Sequence, residues 1–98
     1  MILVVDSGST KTDWIALDNN GKEIFSTQTL GLNPQMLSNE ILNERIKNNF
    51  FIFKNRNSVT KLFFYGAGCG VDSTQNRILK VFKSIFQNSD FRPVSTNH

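Results

Sequence analysis

The chain has 98 residues, 39% of them hydrophobic and 19% charged, and carries a net charge of +3. That length suits one small domain and excludes a second, and the composition is that of a globular chain rather than a disordered one. The positive residues, chiefly Arg45, Lys47, Lys54, Arg56, Lys61, Arg77, Lys80, Lys83 and Arg92, have no interleaved aromatics to suit a nucleic acid, so they read as solvated surface.

Ile2-Leu3-Val4-Val5 has the composition of a buried strand. The loop after it, Asp6-Ser7-Gly8-Ser9-Thr10-Lys11-Thr12, looks like a Walker A loop at its centre. It is not one, because Thr10 precedes the Lys where a Gly is needed, and no helix follows to point its N-terminus at a phosphate. Asp13-Trp14-Ile15-Ala16-Leu17-Asp18 and Lys22-Glu23-Ile24-Phe25-Ser26-Thr27-Gln28 flank Asn19-Asn20-Gly21. They read as two strands joined by a tight primed turn, whose Asn-Gly pair accepts positive φ. The loop at 6–12 therefore lies in a hairpin, with closely spaced N–H groups that can serve as an anion nest.

Asn33 and Pro34 form a helix start, as N-cap and first helical residue. The helix predicted from there carries Leu37, Ile41, Leu42, Ile46 and Phe50 at helical spacing and ends near Phe53. Residues 54–58 form a polar loop. Lys61 to Tyr65 is a strand apolar on both faces that leaves through Gly66-Ala67-Gly68-Cys69-Gly70, the kind of exit where α/β folds place ligands. A second helix starts near Asp72, with Gln75 at capping-box spacing, and stops at Asn88-Ser89-Asp90. The segment 91–98 can start a last strand with Pro93 at its edge.

The order is β-β-β-α-β-α-β, an α/β half domain with a mixed sheet. Right-handed crossovers move the chain one way along the sheet and put both helices on one face. The opposite face is then bare although several of its strands are apolar on both sides, so it expects a cover. The single cysteine, Cys69, forms no internal disulfide and fits a reducing compartment. With no signal-peptide pattern and no apolar run of membrane-spanning length, the cytoplasm is the expected location and no membrane partner is expected.

Three stretches together, Asp6 to Trp14, Gly31-Leu32-Asn33-Pro34 and Tyr65-Gly66-Ala67-Gly68-Cys69, resemble the N-terminal part of the N-acetylglucosamine kinase-like proteins. These are grouped with the benzoyl-CoA reductase activator ATPases in the superfamily of sugar kinases, Hsp70 and actin, whose domains are ribonuclease H-like (actin-like ATPase) folds. The resemblance implies that Asp6 holds Mg²⁺ through water and that Gly8, Ser9, Thr10, Lys11 and Thr12 wrap the β- and γ-phosphates of ATP. It also implies that Asn33 contacts the sugar and that Gly68 lies near the substrate cleft. Members of the family are much longer, with a catalytic Asp past the fifth strand and an adenosine site in a second lobe. On this resemblance residues 1–98 are a truncated N-terminal domain, inactive alone, from a kinase that is commonly a homodimer.

Each of these residues also has a structural reading. The 6–12 loop could be a plain hairpin turn. Asn33 could be only a helix cap, Trp14 core, Cys69 a small buried hydrophobe, and Asp72 and Asp90 a cap and a turn residue. His98 has no second ligand at metal spacing. The competing functions are an ATP-dependent amino-sugar kinase, an activator-type ATPase of a redox enzyme, and a non-catalytic module that binds through its bare sheet face.

Overall fold

The computed structural model describes residues 1–66 and 72–94. Ala67, Gly68, Cys69 and Gly70 of the glycine-rich loop, and His98, lie outside the described residues. Five strands, β1 (Ile2–Ser7), β2 (Lys11–Leu17), β3 (Glu23–Leu30), β4 (Lys61–Gly66) and β5 (Asp90–Val94), form one sheet in the order β3-β2-β1-β4-β5. The first three are antiparallel neighbours, while β4 and β5 run parallel to β1, giving the mixed sheet expected.

Strand alternation sorts the sheet into two unlike faces. Leu3, Val5, Trp14, Ala16, Leu62, Phe64 and Phe91 are buried in one cluster with the apolar sides of all three helices, so the helices share a face. Trp14 lies 5.9 Å from Phe82 and 6.3 Å from Phe86, and Phe82 stacks on Phe91 at 5.2 Å. Trp14 is thus core, as its strand position predicts, and its Nε1–H is satisfied by Thr29 Oγ1 at 2.9 Å. The other face, with Ile2, Val4, Ile15, Leu17, Phe63 and Tyr65, is bare of helices; neighbours half-cover most of these side chains, and Ile15 is 37% exposed.

The region 34–53 departs from the single helix expected. Asn33 caps only one turn, its Oδ1 accepting from Gln35 N at 2.9 Å. Helix α1 (Asn39–Lys47) starts instead at Ser38, whose Oγ accepts from Ile41 N, and α2 (Phe50–Lys54) starts at Asn49, whose Oδ1 accepts from Ile52 N. One helix over all twenty residues would run about 30 Å, well past six-residue strands of about 20 Å. The break falls at Asn48-Asn49, because asparagine side chains compete with the helix for backbone groups. Asn49 also sends its Nδ2 to Thr27 Oγ1 at 2.9 Å, which anchors the break to the sheet. As a result Ile41 and Phe50, placed on the core side by a continuous helical period, are 41% and 68% exposed. Phe51 and Phe53 are exposed as well, so the phenylalanines of this segment are not core.

The Asn19-Asn20-Gly21 turn also differs from expectation. Gly21 alone has positive φ, at 82°, and Asp18 organises the loop, its Oδ1 accepting from the N–H groups of Asn20 and Lys22. A type I turn closed by a left-handed glycine needs only one such residue, where a type I′ turn needs two. Helix α3 (Asp72–Ile85) begins where predicted, and Asp90 opens β5 and pairs with Arg92 at 3.0 Å on the surface.

Phe82 touches Trp14, Phe64, Phe86 and Phe91 and is fully buried. Replacing it by Ala should cost about 3–5 kcal/mol, as for buried Phe generally, and urea denaturation followed by Trp14 fluorescence will read the loss.

Candidate functional site

The hairpin between β1 and β2 gathers most of the expected site at one end of the sheet. In register, Ser7 faces Thr12 and Asp6 faces Asp13, and the turn closes through Gly8 N–H to Lys11 O at 2.9 Å. On the helix side the hydroxyls form a connected chain. Leu32 N–H donates to Ser7 Oγ at 2.9 Å, Ser7 and Thr12 share a bond at 2.9 Å, and Thr12 Oγ1 donates to Leu30 O at 3.0 Å. Since the single Thr12 proton goes to Leu30 O, the Ser7 proton goes to Thr12. Both side chains are buried, at 3% and 0% exposure. The Thr12 hydroxyl is therefore spent inside the protein, and its backbone lies in the ladder between β1 and β3, opposite Ser7 and Thr29.

A second contact presses residues 30–32 against the hairpin. Gly31 N–H donates to Thr10 O at 3.0 Å. A Cβ on Gly31 would lie 2.6 Å from Ser9 O and 2.8 Å from Gly8 O, closer than backbone oxygens tolerate. Gly31, which the motif reading used only as a mark of resemblance, is thus required by a close approach of two backbones.

On the solvent side the groups are free. Ser9, Thr10 and Lys11 are exposed, and among the described residues the Ser9 and Thr10 N–H groups donate to no protein acceptor. The Lys11 amine has no ion pair there either. Gly8 is less available, because its N–H closes the turn and its φ is not positive. The loop tip therefore offers two adjacent amides and one ammonium, without the alternating left-handed residues of a full nest.

The Asp6 and Asp13 carboxylates stand side by side on the open face, with Lys11 on the same face of β2 and Tyr65 beside Asp6 on β4. Gln28 Nε2 donates to Asp13 Oδ1 at 2.6 Å; the Asp6 carboxylate has no hydrogen bond among the described residues. Like charges directly across a ladder disfavour each other, so a cation between them would be favourable. No cluster of three or more metal-ligating side chains occurs among the described residues. Hard, solvent-accessible oxygens of this kind fit Mg²⁺, which keeps most of its water and takes one or two carboxylates plus phosphate oxygens.

Asn33, half-buried, follows directly from Gly31-Leu32. Its Oδ1 and its carbonyl are used in the 33–37 turn, which leaves the Nδ2 donors without a partner among the described residues. The segment carrying it is clamped by two arginines that charge counting had assigned to solvated surface. Arg45 Nη1 donates to Gly31 O at 2.6 Å. Arg77 reaches across from α3 to Pro34 O, to Leu37 O at 2.6 Å and to Asn39 Oδ1 at 3.1 Å. The positioning role of Arg77 had no local signal, because its partners lie about forty residues away in sequence.

No protein-family model matches the chain, and no curated protein does. Among solved structures, the chain is similar to a Porphyromonas gingivalis protein provisionally described as an N-acetylglucosamine kinase. The match has a TM-score of 0.82 and 31% identity over 96% of this chain, which spans about a third (33%) of that protein. Fold and sequence likeness together bear out the resemblance to N-acetylglucosamine kinase-like proteins, and with it the actin-like ATPase fold. No helix among the described residues is long and apolar enough to cross a membrane.

The close approach at Gly31 gives a paired test. Gly31→Ala should destabilise the chain by about 1–3 kcal/mol, the usual cost of overpacking. Gly8→Ala should be near neutral, since its Cβ would meet only Lys11 O, at 3.5 Å. Parallel urea titrations of the two variants measure the contrast. Arg77→Ala should lower the melting temperature and raise amide exchange over residues 34–39, measured by hydrogen exchange; Arg77→Lys should recover little, because a single ammonium cannot span three acceptors.

Proposed function

We propose that this chain is the phosphate-gripping part of an ATP-dependent kinase acting on an amino sugar, N-acetylglucosamine by preference. The observation that carries the reading is the hairpin tip. It places two amides and a Lys, all without a partner among the described residues, beside a pair of carboxylates, on the fold of a protein itself described, provisionally, as such a kinase.

Phosphoryl transfer asks a protein mainly to position the reactants and to neutralise charge. The Ser9 and Thr10 N–H groups would hold phosphate oxygens, Lys11 would offset their charge, and the small Gly8 would let the backbone come close. Asp6 would hold Mg²⁺ through water, with Asp13 fixed beside it by Gln28; bound there, Mg²⁺ would neutralise charge on the phosphates. Asn33 would offer its Nδ2 donors to the sugar, its Oδ1 already holding the local turn. Gly68 would approach the same cleft. In this reading the general base and the adenosine site belong to a second lobe supplied by further chain, residues 1–98 alone do not turn over, and the enzyme works in the cytoplasm. The activator-type ATPase and the binding module are the alternatives that the experiment separates.

The test is ADP release by the longest gene product that contains this chain, in Mg²⁺ and ATP, with N-acetylglucosamine, with glucose and with no sugar. Release should require the amino sugar and should fall by about a hundredfold or more in Asp6→Ala, as when a single charge-stabilising group is removed. Sugar-independent release would select the ATPase that drives a redox partner. No release under any condition would leave the binding module.

A further inference from the structure

Helix α2 turns an apolar side to solvent. With 3.6 residues per turn, its one buried residue, Ile52, points to the core, and Phe53, Phe50, Lys54 and Phe51 fan in that order across the opposite arc. Phe50, Phe51 and Phe53 are 68%, 52% and 38% exposed. The fan is held in shape by its own contacts. Phe51 packs on Phe25 at 5.8 Å, Phe50 packs edge-on to Phe51 at 5.8 Å, and the Arg56 guanidinium lies over the Phe53 ring at 3.9 Å. On the Phe53 side a groove of about 340 Å³ opens towards the end of α3, with Lys47, Arg56, Asn57, Ser84 and Gln87 along it and no acid.

Charge and position set this corner apart from the candidate site. Between Glu44 and Asp72 the sequence carries Arg45, Lys47, Lys54, Arg56 and Lys61 and no acid. Lys47 and Lys54 are exposed and have no ion pair among the described residues. Phe25 stands in register with Ala16, and Ala16 with Leu3 near the start of β1, so the corner lies at the end of the sheet opposite the hairpin tip. A lobe that closes over the tip therefore does not cover it.

We infer that this corner docks on an anionic membrane surface. The fan of Phe50, Phe51 and Phe53 enters the boundary between headgroups and acyl chains, and the groove between Lys47 and Arg56 takes a lipid phosphate. A contiguous exposed apolar patch marks an interaction site. Its combination with cations and no acid selects a surface that is negative outside and apolar beneath, as an anionic leaflet is. Lys54 Nζ, 5.6 Å from the centre of the Phe50 ring, can keep its stem along the ring and its amine among the headgroups. A nucleic acid would answer the cations, but these rings pack on one another and are not spaced to stack between bases. The expectation of no membrane partner rested on the lack of a signal peptide and of a spanning run; surface contact requires neither. The inference does not depend on the kinase reading.

Co-sedimentation of the longest gene product that contains this chain with lipid vesicles tests it. The protein should bind vesicles of mixed phosphatidylcholine and phosphatidylserine, not phosphatidylcholine alone, and binding should weaken as salt is raised. Lys47→Gln and Lys54→Gln should each weaken it about fivefold, the usual worth of one cation at an anionic surface. Phe50→Ser with Phe51→Ser should weaken it further, with unchanged melting temperature and unchanged ADP release. Failure to bind the mixed vesicles would overturn the inference. So would equal binding to phosphatidylcholine alone, displacement by inorganic phosphate, or binding that RNA displaces and the two serine substitutions leave intact. Loss of binding in Ile15→Ser, with the Phe50→Ser and Phe51→Ser variant unaffected, would assign the contact to the open sheet face and overturn it as well.

Discussion

A single run of hydrogen bonds holds the architecture at its working end. It passes from Leu32 N–H to the Ser7 hydroxyl, on to Thr12 and to the carbonyl of Leu30, which also accepts from Thr29 Oγ1 at 3.1 Å. Thr29 in turn takes the indole proton of Trp14. Three strands and the start of the crossover are thereby locked in one register around a polar seam whose Ser7 and Thr12 hydroxyls are buried. Buried hydroxyls are costly when unsatisfied and specific when satisfied, and no described buried side-chain polar atom here lacks a partner. Together with the Gly31 N–H bond to Thr10 O, this seam fixes the exposed tip at Ser9 to Lys11 relative to Asn33.

The two faces of the sheet divide the work. The helix face supplies stability through large side chains in mutual contact, from Trp14 through Phe82 to Phe91. The open face supplies little packing, but it presents Asp6, Asp13 and Lys11 to solvent at the end where the hairpin turns. Arg45 and Arg77 join the two roles. Each starts from a helix that packs on the core and ends on carbonyls of the segment leading from β3 into α1. A guanidinium presents several donors in a rigid fork and suits bare carbonyls better than an ammonium would.

The strands, their order along the chain, the shared helix face and the hairpin loop were legible because alternation, a glycine-rich turn and a capping pattern are local signals. The motif resemblance also survived comparison with a solved structure. What was not legible depended on partners remote in sequence. The apolar spacing from Leu37 to Phe50 satisfies a helical period, yet the Asn48-Asn49 pair ends the helix because Asn49 finds Thr27 on the sheet. The phenylalanines that follow then turn outward. Asn33 looked like the cap of a long helix, whereas Ser38 holds that place and Asn33 caps one turn, its Nδ2 donors without a partner among the described residues. Gly31 could be recognised from a motif, but its physical reason, two oxygens less than 3 Å from a would-be Cβ, exists only in three dimensions.

Trp14 is the only tryptophan in the chain, and it lies two residues from Thr12 on the buried side of the same strand. Its indole is bonded to Thr29, which shares the Leu30 carbonyl with Thr12. The protein thus carries a built-in optical reporter, wired to the hairpin seam yet shielded from the solvent in which any ligand would arrive. Emission from this one chromophore senses the state of the seam and of the aromatic core together, and an added dye would only duplicate it.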